Sequence, residues 1–349
     1  MHFWQISDLV KIFSKKFNCD VLIPKKYSHL IDTKKGMIKS PLKYFIFFHA
    51  LLIGRKYEYI YLVTSPEYPD YPTSFKSFLL YIQQLFVFYI LLIFFKKKII
   101  LYIRGIYRVV PELNKTKNKL FILIRKKLFL KVNRFICENK NLERVLKEKF
   151  FYKNDKNFYV STLYTRFFNP LDKFPKKLEN NILTIGILGA VDPIRKDYDL
   201  IYKFIEKNHL NVKLIFLGRI YKNFSEPVIK KFEQYNINFK NYLTDDDFIN
   251  LGSQCDVLLS LNKEDKMYGL YKGTGSYGDA LKLQQKVISP ASTDPIREFA
   301  DFSIYYSNKK ELEEILGKFL INKNFFNAKF DNFSLDKLRD KCFKDLDLI

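Results

Sequence analysis

Short apolar segments alternate with helical ones along nearly the whole chain, and this alternation constrains the fold more than any other feature. In the second half, segments 182–188, 212–217, 237–239, 256–261, 287–288 and 303–306 read as strands. Between them, 198–208, 226–235, a segment opening at Thr244 or Asp245, and 309–320 carry a helical period. Strands joined through helices lie parallel, and strands of a parallel sheet covered on both faces are apolar throughout. The first half repeats the pattern, with strands predicted at 20–23, 57–63, 99–103, 134–137 and 157–160 and helices at 9–17, 119–131 and 141–150. The reading is α/β, with two Rossmann-like doubly wound domains facing across a cleft. Domain boundaries are expected at 1–172 and 173–322, followed by a helical tail over 323–349. A length of 349 residues suits two such domains.

One loop stands out within this frame. Gly269, Gly273, Gly275 and Gly278 crowd around Thr274, Ser276 and Asp279, between the strand at 256–261 and the strand at 287–288. Glycine costs backbone entropy and is most useful where the chain takes unusual dihedrals or lies close to a ligand. Backbone N–H groups at the start of the following helix, with the helix dipole behind them, favour a phosphate. Asp279 falls about one turn into that helix, placed to accept hydrogen bonds from sugar hydroxyls.

Cations recur at the same predicted sheet edge. The strand at 182–188 runs into Gly189 and then Arg195-Lys196, and the strand at 212–217 runs into Gly218-Arg219. Arginine offers a planar fork and lysine a mobile point charge, a pairing suited to a diphosphate. The turn after Gly189 continues Ala190-Val191-Asp192-Pro193 with no further glycine, so it lacks the fingerprint of a nicotinamide site, and dehydrogenase chemistry is set aside.

Taken in order, Gly189 with Arg195-Lys196, then Leu217-Gly218-Arg219, then Cys255-Asp256, then the glycine loop with Asp279-Ala280 and Val287-Ile288-Ser289-Pro290, the second half resembles the nucleotide-sugar domain of GT-B glycosyltransferases, especially the group 1, family 4-like class. The resemblance implies a donor site in which Arg195, Lys196 and Arg219 hold the diphosphate. In that site Gly189, Lys272, Gly273, Thr274, Gly275 and Ser276 line the donor, and Asp279 takes the ribose. It implies a nucleotide-diphosphate sugar as co-substrate and no metal or other cofactor. The chain departs from the class at Tyr271, eight positions before Asp279, where the class carries its first glutamate. The acceptor is expected from the first domain, whose strand ends offer Arg104, Glu67 and Glu138 as candidate catalytic groups. Sugar-nucleotide epimerases share the fold, and a non-catalytic scaffold at a membrane surface is a further reading.

Composition narrows the partners. A net charge of +23 and a pI near 9.5 fit a polyanionic neighbour. The cations are mostly helical lysines, in stretches at 96–98 and 125–127 and in the pairs Lys25-Lys26 and Lys34-Lys35, beside the apolar segment 78–95. Cationic surface next to apolar aromatic helix fits an anionic membrane surface and a lipid-linked glycan acceptor rather than nucleic acid. Segment 78–95 is read as a helix packed between strands or lying in a membrane surface. Cys19, Cys137, Cys255 and Cys342 are too dispersed for a zinc site or a disulfide framework. No secretion signal is recognised. The expected setting is cytoplasmic, peripheral to the inner face of the cell membrane, in assembly of a bacterial surface polysaccharide such as lipopolysaccharide or capsule. Asp245-Asp246-Asp247 resembles a metal-binding carboxylate run, but it opens a helix, where capping explains it better.

Overall fold

The computed structural model describes residues 12–14, 16–24, 37–40, 54–62, 75–96, 98–103, 105–106, 119–151, 158–164, 181–220, 225–241, 243–263 and 268–348. The chain divides into two compact units. The first is Met1–Thr165 together with Tyr271–Gly273 and Asp336–Ile349, and the second is Arg166–Leu270 together with Thr274–Leu335.

Within the first unit, β1 (Val21–Pro24) and β2 (Met37–Ser40) form a two-stranded parallel pair. The main sheet has β3 (Ile60–Leu62), β4 (Ile99–Ile103), β5 (Arg134–Cys137) and β6 (Tyr159–Thr162) in sequential order, all parallel. Their crossovers are α1 (Phe75–Phe95), α2 (Lys119–Phe129) and α3 (Lys140–Leu146). Sequential order with right-handed crossovers puts all three helices on one face of the sheet. That face is where Phe88, Leu91, Leu92 and Phe95 of α1 are buried with Leu101, Ile103, Phe135, Leu142 and Leu146. Each such side chain is worth roughly 1.5–3 kcal/mol of transfer free energy. The opposite face takes α9 (Leu335–Asp345), tied down where Arg134 Nε donates to the Leu346 carbonyl at 2.9 Å and Ser161 Oγ donates to Asp345 Oδ2 at 2.9 Å. α1 is therefore a packed crossover helix, and among the described residues no helix is long and apolar enough to cross a membrane.

The second unit carries six parallel strands: β7 (Leu183–Leu188), β8 (Val212–Leu217), β9 (Ile237–Phe239), β10 (Val257–Leu259), β11 (Val287–Pro290) and β12 (Ser303–Tyr306). Their spatial order is β12-β11-β10-β7-β8-β9. Its helices are α4 (Asp199–Asn208), α5 (Glu226–Phe232), α6 (Asp245–Gly252), α7 (Gly275–Leu283) and α8 (Lys309–Ile321). β7 and β10 are buried at every position, the mark of central parallel strands. Ile185 and Ile187 of β7 pack with Phe204 of α4, Phe216 of β8, and Leu312 and Phe319 of α8. From β7 the chain winds outward to β8 and β9, and from β10 it winds the other way to β11 and β12. The order reverses between β7 and β10, and such a switch point opens a crevice at the carboxyl ends of the strands.

The acidic run 245–247 resolves as a helix start. Thr244 accepts from the Asp247 amide at 3.1 Å while Asp247 accepts from the Thr244 amide at 3.2 Å, a reciprocal capping box.

Candidate active site

Both loops at the switch point of the second unit carry predicted residues. β7 ends at Leu188, and Gly189 follows with φ +74°, which favours glycine. The turn that follows is organised by Asp192, whose carboxylate accepts from the amides of Ile194 (3.0 Å) and Arg195 (3.3 Å) and pairs with Arg195 Nε. Burial opposes ionisation of Asp192, but the side chain and backbone of Arg195 outweigh it and hold the carboxyl below its ordinary range.

Lys196, the next residue, is buried, with only 7% of its surface exposed. Its ammonium donates to the carbonyl oxygens of Leu188 and, at 2.8 Å, of Gly189. Burial, and then the neighbouring Arg195 charge, lower its pKa to about 7, against a smaller opposing pull from Asp279 and Asp192. A lysine drawn under a strand end and held near neutrality accepts a full charge readily when an anion arrives.

The second loop is stitched to the first. Asp197 N donates to Leu261 O at 2.9 Å and Lys263 N to Arg195 O at 2.9 Å, so Lys196 and Asn262 face each other as an antiparallel bridge. Asn262 Nδ2 donates to Thr274 Oγ1 at 3.2 Å, Thr274 Oγ1 to Ser276 Oγ at 3.2 Å, and Ser276 Oγ to Ser260 Oγ at 3.1 Å. This polar chain runs from the Arg-Lys turn to the first residues of α7. Thr274 is the N-cap there, and Gly275 and Ser276 open the helix. Asp279, half-buried in the second turn, opposes part of the lowering of the Lys196 pKa through its charge.

β8 contributes the third edge. Gly218 lies against Gly189, and the Arg219 carbonyl accepts from the Val191 amide at 3.0 Å; the Arg219 side chain is exposed. Gly189, Arg195, Lys196, Arg219, Thr274, Gly275, Ser276 and Asp279 thus all belong to the second unit, on the strand ends and helix start around its switch point.

Lys272 and Gly273 fall in the first unit. There Lys272 bridges Gly105, Tyr271 accepts from the Ile106 amide at 2.7 Å, and Lys149 Nζ donates to the Tyr271 hydroxyl at 3.0 Å. Gly273 stands directly over buried Glu138: a Cβ there would lie 2.7 Å from the Glu138 carboxyl carbon. The candidates Arg104 and Glu67 lie outside the described residues. Sequence reasoning missed Asp192 and Asn262. The first was legible as a carboxylate three residues before an arginine at a turn, whereas the second acts only through tertiary pairing.

No protein-family model matches the sequence, and no curated protein matches it by sequence. Solved structures do match by shape. Anabaena HepE in complex with UDP-glucose aligns over 100% of this chain and 96% of its own, with a TM-score of 0.66 at 11% identity. Sucrose-phosphate synthase from Thermosynechococcus elongatus aligns over 98% of this chain and 88% of its own, with a TM-score of 0.61 at 11% identity. An α,α-trehalose-phosphate synthase (UDP-forming) from Burkholderia vietnamiensis aligns over 80% of this chain and 79% of its own, with a TM-score of 0.53 at 8% identity. These are GT-B glycosyltransferases, and the chain shares their fold.

Proposed function

We propose that the protein is a glycosyltransferase that moves a sugar from a nucleotide-diphosphate donor to a glycan acceptor. The observation that carries the reading is the convergence on one switch point of the Arg195-Lys196 turn, the Gly218-Arg219 strand end and the start of α7, joined by the polar chain from Asn262 to Ser260. In this reading Arg195, Lys196 and Arg219 neutralise the diphosphate, and the α7 amides at Gly275 and Ser276 add the helix dipole. Gly189 and Thr274 line the donor, and Asp279 binds its ribose. Charge develops on the departing diphosphate, so cations and amides fixed around it stabilise the transition state more than the ground state. Glu138, Arg104 and Glu67 are assigned to the acceptor side, with a lipid-linked glycan of bacterial surface polysaccharide as acceptor at the cytoplasmic membrane face. HepE binds UDP-glucose and the trehalose-phosphate synthase is UDP-forming, so UDP sugars are the first donors to try.

The test is thermal stabilisation by a panel of nucleotide sugars, run together with release of nucleoside diphosphate, with and without chelator. Stabilisation and chelator-resistant release are expected, and Asp279→Ala should weaken donor affinity about tenfold or more, the scale of a hydrogen bond to a charged group. Absence of stabilisation by every nucleotide refutes the donor site. Stabilisation without turnover favours a scaffold, and epimerised donor without transfer favours an epimerase.

A further inference from the structure

The outer face of α1 is apolar where a helix covering a parallel sheet is ordinarily polar. Opposite its buried stripe stand Ile82, Phe86, Tyr89, Ile93 and Phe94, all exposed, with Phe86 at 61% and Phe94 at 63%. Positions 82, 86, 89 and 93 follow helical spacing and make one ridge of roughly 16 Å along the axis. Beside it, Leu123 of α2 and Leu130, the residue just past its end, are exposed. A helix apolar on both sides needs a second apolar partner, and contiguous exposed patches of this kind mark interaction surfaces.

Cations rim the ridge. Lys131 Nζ lies 4.6 Å from the centre of the Tyr89 ring, Lys96 follows directly on α1, and Lys127 sits one turn from both Leu123 and Leu130; all three lysines are exposed. Neither helix contains an acidic residue. A second copy of this chain would bring these lysines against their own counterparts. A surface that is apolar within and anionic at its rim satisfies both features.

We propose that this ridge docks on an anionic lipid bilayer. α1 lies in the plane of the interface, Phe86, Ile93 and Phe94 enter the boundary between headgroups and acyl chains, and Lys96, Lys127 and Lys131 meet lipid phosphates. The inference goes beyond the donor reading and does not depend on it.

Co-sedimentation of the full chain with vesicles tests it. Binding is expected to phosphatidylglycerol-containing vesicles, weakened by high salt, with little to pure phosphatidylcholine. Replacing Phe86, Ile93 and Phe94 by serine together should abolish binding. Replacing Lys96, Lys127 and Lys131 by glutamate should lower the partition coefficient on the order of a hundredfold, at about 1 kcal/mol per cation near the surface. Both sets should keep their thermal stabilisation by whichever nucleotide sugar the parent binds, which separates failure of docking from failure of the donor site. If the serine set does not fold, the lysine set reads the same contact. A parent chain that ignores phosphatidylglycerol vesicles, or a lysine set that binds them undiminished, overturns the proposal. So does a lipid-free dimer that Phe86→Ser dissociates, which would assign the ridge to a second copy.

Discussion

Gly218 lies so close to Gly189 that a Cβ on residue 218 would overlap the Gly189 carbonyl and stand 2.7 Å from the Ala190 amide nitrogen. The obstacle is backbone, so no rotamer change relieves it. Gly218→Ala should part the ends of β7 and β8 and strain the bonds from Gly189 N to Leu217 O and from Val191 N to Arg219 O. The expected cost is about 1–3 kcal/mol, the range for overpacking, with weaker nucleotide-sugar binding. Urea unfolding and a donor titration measure the two effects; a variant unchanged in both would show that this close approach has no role.

Lys196 gives a pH signature. With its pKa lowered to about 7, the side chain is mostly neutral at pH 8 in the free protein, and a bound diphosphate favours its ammonium form. Donor binding at pH 8 should therefore take up close to one proton, and affinity should fall as pH rises above 7. Calorimetry in two buffers of different ionisation enthalpy measures the uptake, and no uptake at pH 8 would be incompatible with Lys196 meeting the diphosphate.

The same lysine affects stability with a defined sign. Between about pH 7 and its ordinary range near 10.5, the unfolded chain binds a proton at this position that the native chain does not. The destabilisation is thus fully present below about pH 7 and is relieved as pH rises through that window. Lys196→Met should remove this contribution, so that its stability advantage over the parent shrinks from pH 7 to pH 10. An advantage that grows with pH would contradict the assignment.

Gly273 and Glu138 form a pair testable by a double-mutant cycle. Gly273→Ala places a methyl group 2.7 Å from the Glu138 carboxyl carbon and 3.0 Å from its Cγ, and Glu138 is buried. The single variant should lose about 1–3 kcal/mol in chemical denaturation, and most of that loss should vanish in a Glu138→Ala background. Additive losses would show that the two residues do not share space.

Thr244→Ala should cost about 1 kcal/mol through loss of the N-cap, while Asp246→Asn should leave nucleotide release and its insensitivity to chelator unchanged. Loss of release in the Asp246 variant, restored by added divalent ion, would return the acidic run to metal binding.

The strands of both main sheets were legible because a parallel strand covered on both faces carries an uninterrupted apolar run. β4, β5, β8 and β12 coincide with the predicted bounds, and β7 differs by one residue. The helix expected over 141–150 is α-helical only from Lys140 to Leu146 and continues as a wider π turn over Lys147–Phe151. The pairing of Val21–Pro24 with Met37–Ser40 has no local signal, since a four-residue segment with a lysine and a serine reads as loop until a neighbour satisfies its backbone. At the candidate site, Gly189 stood out as a glycine turn at a strand end and Thr274 as a hydroxyl among clustered glycines, whereas its role as the N-cap of α7 did not. The partners of Lys196 did not, because its ammonium meets the Leu188 and Gly189 carbonyls and its place opposite Asn262 is set by backbone bonds of the flanking residues, none of which side-chain identity reveals.

The return of residues 336–349 to the first unit has a practical consequence for dissection. Cutting after Thr165 leaves an amino-terminal fragment without Phe343, on which Phe13 and Phe17 rest with ring centres 5.5 and 5.6 Å away. The complementary fragment carries an orphaned amphipathic helix. Neither piece is a self-sufficient module, so reconstitution from halves should succeed only when the last helix is supplied alongside the amino-terminal portion, by co-expression or by circular permutation.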